Sequence, residues 1–263
     1  MDISETPLEV DTMKRSLRLM VMSALVALWS VPCLAQTADE IIEKHLAASG
    51  GRDALSKLTS RTAIGSVTVG TPVGDLTGPL EVYAKAPNKS RTLVKLDLTT
   101  LGGNMVINDQ RFDGNTGYVI DTFNGNREIT GTQLEAMRNG YFPTPLLNYK
   151  DRISEITVAG KEKVGEKDAY ILQVTPKAGP GVRMFIDTDS FMVVRTIMTI
   201  NVPQLGGDIE QVVEFSDFRE VDGVKVAFAT KSSNPAQTVT ATLTEVKHNS
   251  EIDESSFSRP AGQ

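Results

Sequence analysis

The stretch that decides the fold class is residues 80–98, LEVYAKAPNKSRTLVKLDL. Residues 80–85 alternate between apolar and polar side chains, and residues 90–98 repeat the alternation after a polar interruption. Successive side chains of a β-strand point to opposite faces, so a period of two is typical of a strand with one buried face. The stretch therefore predicts two half-buried strands.

The same alternation recurs along most of the chain. Turn residues such as Asp113-Gly114-Asn115 separate the runs at a spacing typical of hairpins. About twelve strands in succession predict a mainly β chain whose antiparallel sheet curls into a barrel or sandwich. Beyond the opening stretch, the predicted strands are 62–69, 105–112, 118–123, 153–159, 169–175, 183–187, 192–202, 209–218, 224–231 and 238–246.

One helix is predicted ahead of the first strand. Thr37-Ala38-Asp39-Glu40 has the pattern of a capping box, in which the Thr37 hydroxyl accepts a hydrogen bond from the Glu40 amide. Apolar residues then recur at helical spacing as far as Leu46, and Gly50-Gly51 ends the pattern. We expect this helix to pack on the sheet through its apolar side.

Residues 132–147 interrupt the succession of strands. TQLEAMRNG, residues 132–140, predicts a short helix in which Leu134 and Met137 lie three residues apart, and an apolar loop bounded by prolines follows. Two interpretations stay open at this point. The segment is either an ordinary connector packed on the core or a helical lid over a cavity.

Residues 1–35 have the pattern of an export signal. Three basic residues lie within residues 14–18, the mostly apolar residues 19–31 follow, and Ala35 supplies the small residue ahead of a cleavage site. The apolar run is shorter than the roughly 20 residues that cross a bilayer. We therefore predict a signal peptide that is cleaved after Ala35, and a periplasmic protein that is not transmembrane once processed.

Two further expectations concern this signal and the chain that follows it. Residues 1–12 are acidic and do not suit the start of a signal peptide, so we interpret them as an extension ahead of a true start at Met13. Cys33 follows Pro32 rather than the small residue that a lipoprotein signal needs, and it leaves with the signal. Residues 36–263 then form one domain without cysteine, which suits an oxidising compartment.

The composition limits the classes of function. Of the 263 residues, 27 are Lys or Arg and 33 are Asp or Glu, so the formal net charge is −6. Nucleic-acid binding needs clustered basic residues, and we expect no nucleic-acid partner. One Cys and two His leave few ligands or nucleophiles for the usual metal and catalytic sites. We therefore expect no enzyme activity, no cofactor and no metal.

Individual polar residues support this expectation. His45 lies on the predicted helix and His248 near the C-terminus, and both are interpreted as structural. Asp187-Thr188-Asp189 lacks the remaining spaced ligands of a calcium-binding EF-hand loop, so it predicts a tight turn.

Several motifs together suggest a family. They are residues 84–91 (AKAPNKSR), 106–118 (VINDQRFDGNTGY), 169–176 (AYILQVTP), 185–187 (FID), 217–224 (DFREVDGV) and 252–260 (IDESSFSRP). In these stretches the chain resembles the LolA/LolB-like periplasmic carriers of lipoproteins. The resemblance implies an incomplete antiparallel half-barrel, helices that close its open side, and an apolar cavity for acyl chains.

The chain departs from this family at one position. Ala86 stands where the family has an Arg ahead of the Pro-Asn pair, and that Arg is used in lipoprotein handling. Arg91, shortly after the pair, is the candidate for a polar contact in its place. Because a fold does not fix a function, the resemblance implies the fold more strongly than it implies lipoprotein sorting.

The expected function is that of a carrier of lipid or lipoprotein acyl chains, of the outer-membrane lipoprotein-sorting type and without catalysis. Each buried CH₂ group contributes roughly 0.8 kcal/mol, so one long chain would supply useful affinity. The alternative is an envelope sensor or protein-interaction domain on the same fold, with a filled interior and envelope membrane proteins as partners. The residues predicted to line the cavity are Leu93, Leu96, Met105, Ile107, Leu134, Met137, Phe142 and Leu147, with Arg91 as the polar contact.

Overall fold

The alternating runs of the sequence form thirteen β-strands in the described part of the chain, and all the strand pairs are antiparallel. The computed structural model describes residues 36–71, 74–99, 102–202 and 207–260. The expected signal peptide and its cleavage site lie outside these residues. The strands are β1 Ser60–Thr71, β2 Gly74–Lys85, β3 Lys89–Asp97, β4 Met105–Phe112, β5 Gly117–Asp121, β6 Arg127–Ile129, β7 Ile153–Val164, β8 Lys167–Pro176, β9 Val182–Asp187, β10 Val193–Val202, β11 Gly207–Val221, β12 Val224–Ser233 and β13 Thr238–His248.

The strands make one sheet in the order β6-β5-β4-β3-β2-β1-β13-β12-β11-β10-β9-β8-β7. The sheet is not closed, since β6 and β7 are its two edges. This confirms the expected mainly β class and the incomplete antiparallel half-barrel. One strand, β6, was not predicted, because its three residues are too few to show an alternation.

Three helices accompany the sheet in the described residues: α1 Ala38–Ala48, α2 Arg52–Ser56 and α3 Gly131–Arg138. Connections join neighbouring strands everywhere except between β6 and β7, which lie at opposite edges. We call the connection between them, residues 130–152, the crossover segment. It contains α3 and therefore corresponds to the predicted interruption of the strands.

One face of the sheet carries α1 and α2, and we call it the inner face. Ala63 of β1 lies on this face, and the register places Val82 of β2 and Val246 of β13 beside it. Ile41 and Leu46 of α1 are 0% exposed and form one cluster with residues of β8, β9 and β12. Fully burying such a side chain contributes about 1.5–3 kcal/mol. The half of the sheet under α1 therefore has a packed core.

The N-terminus of α1 has the predicted capping box. Thr37 Oγ1 accepts from the Glu40 amide at 3.2 Å, and Glu40 Oε2 accepts from the Thr37 amide at 3.0 Å. After the helix the chain turns at Gly50, where φ is +122°. A Cβ on Gly50 would lie 2.4 Å from the Gly223 carbonyl oxygen, so only glycine allows α1 to approach the turn between β11 and β12 so closely.

The opposite, outer face of β2 to β5 is covered by the C-terminal residues 250–260. Arg111 of β4 donates from Nη1 to the Ser258 carbonyl oxygen at 3.2 Å. Lys85 of β2 donates to the Ile252 carbonyl oxygen at 3.2 Å, and Phe257 is buried. The C-terminal segment therefore buries part of the outer face of this half of the sheet.

Candidate functional site

The crossover segment lies across the inner face and is tied to turns on both sides of the sheet. Asn88, between β2 and β3, donates from Nδ2 to the Arg138 carbonyl oxygen at 3.3 Å. Arg138 Nη2 donates to the Asn115 carbonyl oxygen at 3.0 Å. From the other side, Asn139 Nδ2 donates to the Ala178 carbonyl oxygen, between β8 and β9, at 2.8 Å. These bonds hold the C-terminal end of α3 between the two halves of the sheet.

Helix α3 covers the sheet without burying a side chain of its own. No residue of α3 is buried, and Leu134 and Met137 are only half-buried. Gln110, on the inner face of β4, donates from Nε2 to the Met137 sulfur at 3.5 Å. A helix packed on a core normally buries its apolar stripe. The apolar side of α3 is therefore only partly covered.

The part of the inner face that α1 does not cover has apolar side chains that are half-buried. The register places these residues on the same face as Ala63, and each keeps part of its surface exposed. We call this set the apolar inner surface. Its members are Val69, Leu76, Val94, Leu96, Met198, Ile200, Val213, Phe215 and Val239.

A cavity of about 380 Å³ opens where α3 approaches β10. Its wall includes Thr132 of α3 and Met198 of β10, but also Arg183 and Glu210. The last two form an ion pair at 2.5 Å. Its volume falls in the range of small-molecule sites, whereas its lining is of mixed polarity.

Five of the predicted site residues lie on the inner side of the sheet. Leu96 belongs to the apolar inner surface, while Leu134 and Met137 lie on α3. Phe142 and Leu147 lie in the crossover segment and pack against the core under α1. These five are brought to one side of the molecule.

The remaining predicted residues face the other way. Leu93 pairs with Asp109, and the alternation places both on the outer face together with Ile107 and Met105. Leu93 is 8% exposed, and Met105 is 50% exposed. Because residues 93 and 96 of one strand are separated by an odd number of positions, they cannot line the same cavity. The eight predicted residues are therefore divided between the two faces.

Arg91 is engaged on the outer face. Its Nε and Nη2 donate to the two carboxylate oxygens of Asp109, each at 2.8 Å, and Arg111 Nη2 donates to the same carboxylate at 2.8 Å. Burial would raise the pKa of Asp109, but the hydrogen bonds from Arg91 and Arg111 outweigh it and hold this pKa below its usual value. The pair fixes β3 to β4 beneath the C-terminal segment.

A residue that the sequence reasoning missed is Arg61, on the inner face of β1. Its Nε donates to His248 Nε2 at 3.0 Å, and its guanidinium carbon lies 5.3 Å from the centre of the Phe142 ring in the crossover segment. Burial lowers the pKa of Arg61 to about 10. The available signal was a charged residue at an inward position next to Ala63, which the alternation alone could have indicated.

The two histidines have structural contacts. His45 is buried, and its Nδ1 lies 2.9 Å from the Phe191 carbonyl oxygen. Since His248 Nε2 accepts from Arg61, its Nδ1 carries the proton and donates to Asp222 at 3.1 Å. Burial and the charge of Arg61 lower the pKa of His248, against the opposing effect of Asp222.

The turn predicted at residues 187–189 has a side-chain cap. Asp187 accepts from the Ser190 amide at 2.6 Å and so caps the predicted turn. Among the described residues, no group of three or more His, Cys, Asp or Glu is placed to hold a metal ion. In the same part of the chain, no helix has the length and apolar character needed to cross a membrane.

The chain was compared with known proteins by sequence and by structure, and only the structural comparison finds similar proteins. No protein-family profile and no curated protein matches the chain. In structure it is similar to a DUF1329 family protein from Desulfovibrio piger, with a TM-score of 0.55 and 14% identity over 87% of this chain and 100% of that chain. It is also similar to a LolA superfamily protein from Nitrosomonas europaea, with a TM-score of 0.54 and 11% identity over 86% and 99%.

A third similar structure is a domain from Vibrio parahaemolyticus described as an outer membrane lipoprotein-sorting protein. Its TM-score is 0.52, and the identity is 10% over 83% of this chain and 94% of that chain. Identities this low show the fold alone. The chain therefore shares its fold with these structures, one of which is a LolA superfamily protein, in agreement with the fold that the resemblance implies.

Proposed function

We propose that the protein is an exported carrier that binds the acyl chains of lipids or lipoproteins, without catalysis. The observation that carries the proposal is the contrast beneath the crossover segment. Helix α3 is tethered over the inner face but buries none of its residues, and the apolar inner surface is left half-buried. Burying that surface against a ligand is favourable at about 25 cal/mol for each Å² of apolar area.

The shared fold supports this proposal. Two similar structures are named as a LolA superfamily protein and as a lipoprotein-sorting domain. We extend the sorting role to this chain only as a proposal, in the periplasm and toward the outer membrane. Ala86 precedes cis-Pro87, whose carbonyl oxygen accepts a hydrogen bond from the Phe142 amide of the crossover segment. The position at which the resembled carriers have an Arg is therefore adjacent to a contact that holds this segment.

A direct test is to look for bound acyl ligands on protein that cells have exported. Native mass spectrometry and lipid extraction of protein purified from the periplasm would reveal a retained acyl ligand. A long-chain fatty acid carrying a polarity-sensitive fluorophore would then measure binding in solution. A protein that neither retains nor takes up an acyl chain would contradict the proposal.

Two matched variants localise the site. Leu96→Glu places a charge on the inner face of β3, and we expect it to weaken binding of the fluorescent fatty acid by about tenfold or more, because an unpaired charge resists burial. Ile107→Glu makes the same change at a half-buried residue on the outer face of β4. Equal losses for the two variants, at equal thermal stability, would exclude the inner face as the site.

A second candidate function is an envelope sensor or protein-interaction domain. The observation in its favour is that α1 fills the inner face on the side of β8 to β13. This candidate predicts a protein that binds no acyl chain, so the same binding experiment separates the two functions.

A further inference from the structure

Arg61 is a nearly buried cation that has no carboxylate partner among the described residues. Its one recorded hydrogen bond is from Nε to His248, which is neutral. Other arginines of the sheet have a carboxylate partner: Arg91 and Arg111 share Asp109, and Arg195 binds Glu214 at 2.6 Å. Removing a cation from water without a counter-ion is unfavourable. The positive charge of Arg61 is therefore not balanced by a carboxylate of the described residues.

Part of the guanidinium makes no hydrogen bond to the described residues. Nε donates to His248, so the donors that are left over are Nη1 and Nη2. Neither terminal nitrogen is a fully buried unsatisfied atom, so both retain accessible surface. Two adjacent N–H groups of a fixed guanidinium match the paired oxygens of a carboxylate or a phosphate.

A half-buried strip leads from Arg61 to the apolar inner surface. Ala84 of β2 pairs directly with Arg61, and Val82 follows on the same face. Thr92 of β3 pairs with Val82, and Val94 follows in turn. None of these four residues is buried. A chain lying on this strip would have its polar end at the guanidinium.

We propose that Arg61 binds the anionic head group, a carboxylate or a phosphate, of an amphiphile whose chain lies on the apolar inner surface. This rests on the proposed function and assigns the ligand class to acyl compounds with a negative charge at one end. His248 orients the guanidinium by accepting from Nε. Phe142 covers the guanidinium from the crossover segment, so head-group binding takes place directly beneath that segment.

The test compares head groups on chains of one length. Laurate, dodecyl phosphate and dodecanol compete at neutral pH against the fluorescent fatty acid for the exported protein. Hydrogen bonds to charged groups contribute about 1.5–3 kcal/mol, so we expect the two anions to bind at least about tenfold more tightly than the alcohol. A preference for laurate or for dodecyl phosphate identifies which anion the site favours.

Variants assign the preference to Arg61. Arg61→Gln should remove the advantage of the anions and leave the affinity for dodecanol unchanged, and Arg61→Lys should retain part of it. Arg195→Gln, at an outer-face arginine stacked on Phe185, should retain all of it. If Arg61→Gln fails to fold, the comparison of ligands on the natural protein still shows whether anions are preferred, and Arg61→Lys still shows whether the preference depends on residue 61.

Two outcomes would overturn the inference in distinguishable ways. Equal binding of the three ligands to the natural protein would refute the anion site while leaving the carrier function intact. Binding of none of them would refute the carrier function itself, and the anion site with it. Anion preference that persists in Arg61→Gln would place the head group elsewhere.

Discussion

Helices α1 and α3 lie on the same face of the sheet, but they differ in how completely their side chains are buried. Helix α1 buries Ile41 and Leu46 completely against β8, β9 and β12, whereas α3 buries nothing and is held mainly by hydrogen bonds near its C-terminus. Apolar packing stabilises a fixed arrangement, while a few polar tethers at turns allow α3 itself to be displaced at a small cost. We infer that one helix builds the fold and the other covers the site.

The sharpest test of this contrast is a pair of equivalent truncations. Leu46→Ala in α1 should lower the free energy of unfolding by about 2–5 kcal/mol, because it removes fully buried methyl groups and leaves a cavity. Leu134→Ala in α3 should lower it by less than about 1 kcal/mol, since Leu134 is half-buried. Urea denaturation measures both. Similar losses would show that α3 is packed as tightly as α1.

The outer face supplies the next largest effect. Asp109→Asn removes the carboxylate that Arg91 and Arg111 share under the C-terminal segment, and we expect it to destabilise the protein by about 2–3 kcal/mol. Acyl-chain affinity should stay unchanged, because these residues face away from the proposed site. A selective loss of binding without loss of stability would move the site to the outer face.

A smaller effect on stability is expected where the turn at Gly179 contacts α3. Gly179 has φ +88°, and a Cβ there would lie 2.8 Å from the Glu135 Cβ of α3. Gly165 has φ +63°, and its Cβ would have no neighbour within 4 Å. Both Gly→Ala changes should lose about 1 kcal/mol to backbone strain, but Gly179→Ala alone should also displace α3. Hydrogen exchange should then be faster in α3 of that variant only.

The smallest expected effect is a dependence of stability on pH. Burial lowers the pKa of His45 and, with the charge of Arg61, that of His248. The unfolded chain therefore binds more protons than the folded chain below a pH of about 6.5, and stability should decline as the pH falls through that region.

Thermal melting measured from pH 8 downward would follow this decline, and the double variant His45→Asn/His248→Asn should flatten it. Stability that rises on acidification over the same range would contradict the expected sign. The carboxylate of Asp109, whose pKa is lowered, would lose its contribution only at more acidic pH.

Much of the fold could be predicted from local patterns. The capping box at Thr37, the interruption by α3 and nearly every strand follow from residues close in the sequence. The division of Leu93 and Leu96 between faces could also have been read from their spacing. What hid it is the run Leu93-Val94, in which apolar residues occupy both faces because the C-terminal segment covers the outer one.

The candidate site was harder to predict, because its polar part comes from distant segments. Arg61 meets His248 from the far end of the chain and Phe142 from the crossover segment. A single Arg in a strand carries no pattern that shows whether a carboxylate will lie beside it. Arg91, which the sequence suggested instead, finds Asp109 on the outer face.

The sequence by itself determined the succession of antiparallel strands, the start of α1 and the position of the interruption, because periodicity, capping and turn chemistry act between near neighbours. Only the tertiary structure decided which face is inner, which apolar residues are covered and that Arg61 has no carboxylate partner in the described part of the chain. The physical reason is that burial and charge pairing depend on what arrives from elsewhere in the chain. The pairing of β1 with β13 brings Arg61 to His248, and the crossover segment brings Phe142 to Arg61.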